Sequence, residues 1–114
     1  MAGKILILED DRNSALAYEK VLSHQGNTVT ICETFTQARK QLLEDTPDAV
    51  LTNVRVGEYN GLELAMLFRR QSPNGRIVVV TGYDDTAIRR EVGALGGEFL
   101  LKPVAIAALR SAFA

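Results

Sequence analysis

Five short apolar runs, at residues 4–8, 28–32, 49–52, 76–80 and 98–101, alternate with stretches of helical periodicity along the whole chain. Few folds accept that alternation. A helix between two strands brings the second back parallel to the first, the crossover is right-handed, and both faces of the resulting sheet must be covered. A chain of 114 residues is one domain's worth, enough to bury roughly two-thirds of its unfolded surface around a single core. Residues 1–114 are therefore expected to form one domain.

Five βα units fit an α/β fold, a flavodoxin-like (βα)5 doubly wound parallel sheet of five strands in the order 2-1-3-4-5 with helices on both faces. The first helix is expected over about 13–24, with Leu16, Val21 and Leu22 inward and Gly26 as its stop. The second opens with Thr34-Phe35-Thr36-Gln37, a capping-box spacing, and turns Ala38, Leu42 and Leu43 inward before Pro47. The third starts at Asn60-Gly61-Leu62-Glu63 and carries Leu64, Leu67 and Phe68. Asp84 or Asp85 caps the fourth, with Ile88, Val92 and Leu95 at helical spacing. The last is expected over 104–114; it reaches the final residue without a Gly, Pro or polar tail, as a piece cut from a longer parent would.

Four of the runs end in polar groups: Glu9-Asp10-Asp11, Asn53, Thr81-Gly82 and Lys102-Pro103. In a parallel sheet these ends share one edge, and ligands bind in the crevice outside it at the point where strand order reverses. Acids, an amide, a hydroxyl and an ammonium should converge there. Taken singly, each has a plainer use. Asp11 or Asn13 would cap the first helix, Thr81-Gly82 would make an ordinary turn, Lys102 would be solvated and Phe99 would be core.

A formal net charge of -1 gives no basic field for a nucleic-acid backbone or anionic lipid. No apolar run nears the roughly 20 residues of a membrane span, and the N-terminus lacks the apolar stretch of a secretory signal, so a cytoplasmic location is expected. Cys32 is alone and is expected to pack as a small buried hydrophobe. His24, the one histidine, falls on the last turn of the first helix, where it favours the helix C-terminus.

Read together and in order, Glu9-Asp10, the segment from Pro47 to Leu64 with Asn60-Gly61, Thr81-Gly82 and Lys102-Pro103 resemble the receiver domain of bacterial two-component response regulators, over essentially the whole chain. The resemblance implies a phosphorelay signalling module and not an enzyme. It implies a Mg2+ site made by Glu9, Asp10, Asn53 and the backbone carbonyl of Arg55, the hard oxygen ligands that ion takes. It implies that Thr81 contacts the phosphoryl group, that Phe99 is the aromatic whose rotation accompanies activation, and that Lys102 is aimed at the site by the peptide bond to Pro103. The implied partners are a sensor histidine kinase or other signalling protein, an output domain on the same parent chain, and a dimer mate across the face of the fourth helix, fifth strand and last helix.

The departure from the pattern falls on the acceptor, where the family has an aspartate and this chain has Asn53. A carboxylate oxygen can attack phosphorus, whereas an amide is neutral with its lone pair delocalised. With asparagine the charges of Glu9, Asp10 and Lys102 sum to -1 instead of -2, and Mg2+ should bind weakly. A second carboxylate at about 4 Å would add repulsion of roughly 4 kcal/mol at an effective dielectric of about 20. Asn53 is open to three readings: a natural acceptor-less receiver, an engineered aspartate-to-asparagine variant, or a site for chemistry other than phosphate. An alternative from another class is a flavodoxin-like small-molecule binder, whose phosphate Glu9-Asp10-Asp11 would repel, or an aspartyl-phosphatase-like enzyme, for which the first strand offers only acids shared with the implied metal site.

Overall fold

The computed structural model describes residues 2–114. The elements run β1 (Lys4–Leu8), α1 (Arg12–His24), β2 (Thr28–Cys32), α2 (Phe35–Glu44), β3 (Ala49–Asn53), a small hairpin of β4 (Arg55–Val56) and β5 (Tyr59–Asn60), then α3 (Leu62–Gln71), β6 (Arg76–Thr81), α4 (Thr86–Ala94), β7 (Glu98–Leu101) and α5 (Ile106–Ala112). The main sheet has the order β2-β1-β3-β6-β7 with every neighbour parallel. Leaving out the hairpin, which lies outside the sheet, this is the expected 2-1-3-4-5 order.

Strand side chains alternate between faces, and the sequence supplies apolar residues for both. Leu6, Leu8, Val50, Ile77 and Val79 meet α2, α3 and α4 in one layer. Ile5, Ile7, Leu51, Val78 and Val80 meet α1 and α5 in the other. Burial on both faces is why these strands read as continuous apolar runs instead of alternating ones.

The helix starts follow capping chemistry. Asp11 accepts from the Ser14 N–H at 3.2 Å and Thr34 from the Gln37 N–H at 3.2 Å. Asp85, rather than Asp84, accepts from the N–H groups of Ala87 and Ile88. Gln37 completes the box one residue early, on the Glu33 N–H. Gly61 holds the cap position of α3, and Asn60 accepts from the Leu62 N–H at 2.9 Å.

Three expectations need correction. Leu16 is 43% and Leu43 64% exposed. Helix α1 buries Ala15, Tyr18 and Leu22, and α2 buries Phe35, Ala38 and Leu42. Each is an i, i+3, i+7 stripe; the two leucines sit one residue, about 100° of rotation, off it. The last helix begins at Ile106, not at residue 104: Val104 packs into the core, and Ala105 is extended and has no side chain to cap with.

Candidate functional site

Strand register sets the polar groups side by side. Leu8 pairs with Thr52 and Asn53 with Val80, so Glu9, Asn53 and Thr81 emerge together at the carboxyl edge. The strand order reverses about β1, the placement that opens a crevice in a doubly wound sheet. The hairpin folds back over this edge only because residue 61 is glycine. A Cβ there would lie 1.8 Å from the Asn53 carbonyl oxygen and 2.6 Å from Thr52 Oγ1. Thr52 Oγ1 donates to the Gly61 carbonyl at 3.0 Å, and the Gly61 N–H to the Val54 carbonyl at 2.7 Å, locking the return.

The helix-capping use of the acids falls to Asp11 alone, whose carboxyl the Ser14 hydroxyl and N–H hold below the usual range. Glu9 and Asp10 are left for the crevice. Glu9 is fully buried, and Lys102 Nζ donates to its Oε1 at 2.5 Å. Burial pushes the Glu9 carboxyl above its usual range, offset in part by the Lys102 ammonium and the Asp11 backbone N–H and reinforced by the Asp10 charge. Its second oxygen, Oε2, is buried without a hydrogen-bond partner, which is costly for a carboxylate. Asp10 is exposed and accepts from the Gly57 N–H at 3.2 Å, tying the hairpin to the acidic pair.

Asn53 is 7% exposed, and its Nδ2 donates to the carbonyl of Arg55 at 2.6 Å. A carbonyl oxygen at that distance requires the NH2 end of the amide, which fixes the side chain's orientation. The Arg55 oxygen is thus satisfied from within.

The donor set fits a hard cation in part. Glu9 Oε2 lacks a partner, and Asp10 adds a second carboxylate. Among the described residues no three acidic, histidine or thiol side chains gather to hold a metal. A cation here would rest on two acids plus neutral oxygens, and Asn53 would have to turn to release the Arg55 carbonyl.

Thr81 is buried; its Oγ1 accepts from the Tyr83 N–H at 3.2 Å, and its carbonyl from the Lys102 N–H at 2.8 Å. The Lys102-Pro103 peptide bond is cis. Phe99 pairs with Val79, two residues before Thr81, so strand alternation puts Thr81 and Phe99 on the same face. Phe99 is half-buried against the core beneath α4, and the Arg89 guanidinium lies 4.2 Å above its ring. Arg89 Nε also donates to Asp84 at 2.6 Å, holding that carboxyl below its usual range.

Sequence reasoning missed the contacts that frame the crevice. The Arg55 guanidinium lies 4.6 Å over the Tyr83 ring, bridging the loops after β3 and β6. Tyr59 stacks on Phe35 with ring centroids 5.1 Å apart and planes 10° from parallel. Both contacts join residues of different elements, Phe35 of α2 to Tyr59 of β5 and Arg55 of β4 to Tyr83 after β6. His24 is exposed on the last turn of α1, and Cys32 is buried with its thiol pushed up by burial.

The sequence profile of the response regulator receiver domain matches residues 5–114. The alginate biosynthesis transcriptional regulatory protein AlgB of Pseudomonas putida is 31% identical over 114 residues, covering 98% of this chain and 25% of that protein. The response regulator MprA of Mycobacterium ulcerans is 29% identical over 107 residues, covering 93% of this chain and 46% of that protein. This chain thus spans less than half the length of either relative. Among solved structures, a CheY-like receiver domain protein from Methanospirillum hungatei superposes with a TM-score of 0.89 at 21% identity, covering 99% of this chain and 91% of that one. The non-phosphorylated HemR receiver domain from Leptospira biflexa superposes with a TM-score of 0.86 at 22% identity, covering 96% and 90%.

Proposed function

The chain belongs to the response regulator receiver domain family, and from that premise we propose that it is a two-component signalling module locked out of phosphorylation at the end of β3, where Asn53 takes the acceptor's place. The observation that carries this is the amide itself, 7% exposed at the sheet's carboxyl edge and donating to the Arg55 carbonyl. In the reaction of an ordinary receiver, a carboxylate oxygen forms a bond to phosphorus as the donor's bond to phosphorus breaks. An amide that donates its N–H groups has no anionic oxygen to supply.

The remaining groups keep their roles in this reading. Glu9, Asp10, Asn53 and the Arg55 carbonyl would hold Mg2+ weakly, and the ion's chemistry would be to neutralise charge on a phosphoryl group or its mimic. Thr81 would meet a phosphoryl oxygen, Lys102 would share its charge between that group and Glu9, and Phe99 would carry the change to the surface of α4, β7 and α5. Partners would be a sensor histidine kinase or another signalling protein, an output domain on the same parent chain, and a second copy through the α4, β7 and α5 face. The part-length match to a transcriptional regulatory protein supports a parent with further segments, in which these residues form the receiver unit. No helix among the described residues is long and apolar enough to cross a membrane, in keeping with a cytoplasmic role. The reading holds whether Asn53 is natural or introduced.

Incubation with acetyl phosphate and Mg2+, followed by intact mass measurement, tests it. This chain is expected to gain no phosphoryl adduct, and Asn53→Asp to gain one. A stable adduct mapped to Asn53 in the unaltered chain would overturn the reading.

A further inference from the structure

We propose that the outer face of α2 and α3 is a docking surface for an amphipathic helix with acidic flanks, contributed by a partner protein. Two depressions adjoin on this face and share Phe35 and Arg39 as a common wall. Met66, 46% exposed, lines one; Leu43 and Tyr59, 64% and 53% exposed, line the other. Single exposed apolar residues are ordinary on a protein surface; these three are grouped about the wall that Phe35 and Arg39 form, where they offer separate anchor points for an apolar stripe.

This face is rigid. Helices α2 and α3 lie side by side, their inner residues Ala38, Leu42, Leu64 and Phe68 in one core layer, and Gln71 Nε2 donates to the Leu42 carbonyl at 3.3 Å. The stack of Tyr59 on buried Phe35 fixes its upper end. One depression lies between α2 and α3 and the other continues past Arg39 onto the outer side of α2 beside Tyr59, a surface on which a third helix can lay down anchors at i, i+3, i+4 and i+7.

Charge selects the occupant. Arg39, Lys40 and Arg70 line the depressions against the single acid Glu63. Lys40 also leans toward Glu44 at 4.0 Å, an exposed contact of little strength. The face is therefore locally positive on a chain whose net charge is -1. A second copy placed by two-fold symmetry would set these cations against themselves, whereas acidic flanks would pair with them. The face lies apart from α4, β7 and α5 and does not depend on the chemistry of Asn53.

The test is a titration of the full chain, followed by backbone amide shifts, with a synthetic amphipathic helix of about 18 residues carrying leucine anchors and glutamate flanks. Shifts are expected within residues 35–43 and 59–70. A lysine-flanked version should bind roughly tenfold more weakly. Leu43→Asp and Arg39→Glu, both at exposed positions, should each weaken the glutamate peptide by about tenfold while leaving the rest of the spectrum unchanged. Equal binding of the two peptides, shifts elsewhere, or indifference to both substitutions would overturn the proposal. So would tighter binding to phosphatidylglycerol vesicles than to the peptide, or self-association that Leu43→Asp abolishes.

Discussion

Strands β3 and β7 lie two places apart in one sheet and are held in opposite ways. Every residue of β3 is buried, and the strand is bonded on both sides, to β1 and β6. β7 is an edge strand bonded only to β6; none of its residues is fully buried, and Leu101 is 41% exposed. Asn53 ends the first, and Phe99 sits in the second. The lesson is a division of labour. The group at the centre of the crevice is placed by a strand that the core over-determines, and the aromatic proposed to respond sits where local rearrangement is least costly.

The contrast can be broken most severely from the β3 side. Gly61→Ala puts a methyl group against the Asn53 carbonyl and is expected to cost about 3 kcal/mol or more, seen as a lowered urea midpoint. A near-neutral result would mean that the β3 end is far softer than its burial implies.

Lys102→Met comes next. It strands a buried carboxylate, Glu9, at a cost of about 3 kcal/mol near neutral pH. The sign of the pH dependence follows from Glu9, whose folded pKa is raised. Its contribution to stability is present below the unfolded pKa and is lost as pH rises through the folded one. Without Lys102 the raised value climbs further, so the variant should recover relative stability as pH falls. Urea unfolding of both proteins across the acid range checks this; a loss that does not change with pH would remove Glu9 from the account.

Asn53→Asp has a smaller expected effect. It deletes the donor to the Arg55 carbonyl and adds a charge at the end of β3, the strand paired with the one that Glu9 and Asp10 follow. In metal-free buffer it should destabilise by about 2 kcal/mol, and millimolar Mg2+ should restore most of that through binding to the folded state alone. Thermal unfolding with and without Mg2+ reads both halves.

The least costly change is on the β7 side. Arg89→Ala removes the guanidinium above Phe99 and its link to Asp84. The ion pair is exposed and the ring half-buried, and about 1 kcal/mol or less is expected. The informative readout is faster flipping of the Phe99 ring by NMR, with β3 amides undisturbed. If the β3 amides move as well, the two strands are not separately held.

Much of this was legible beforehand, for reasons that differ by region. The sheet order follows from alternation and handedness, which leave little freedom. The polar strand ends converge because parallel strands share an edge, so Glu9, Asn53, Thr81 and Lys102 could be placed together from spacing. Leu16 and Leu43 were misassigned because hydrophobicity alone does not fix a helix's rotation. In α1 the inward position beside Leu16 is taken by Ala15, and in α2 Phe35, Ala38 and Leu42 complete the buried stripe without Leu43. The Asn53 bond to the Arg55 carbonyl, Arg55 over Tyr83, and Arg89 over Phe99 were not legible. Each depends on where a long or flexible side chain settles after the loops have closed.

If Asn53 alone keeps the proposed switch from responding, the backbone amides near Thr81 and Phe99 will report it when Mg2+ and beryllofluoride, a phosphoryl mimic, are added to this chain and to Asn53→Asp. Shifts at both positions are expected in Asn53→Asp and none in the unaltered chain. Equal shifts in the unaltered chain, or silence in both proteins, would contradict that reading of Asn53.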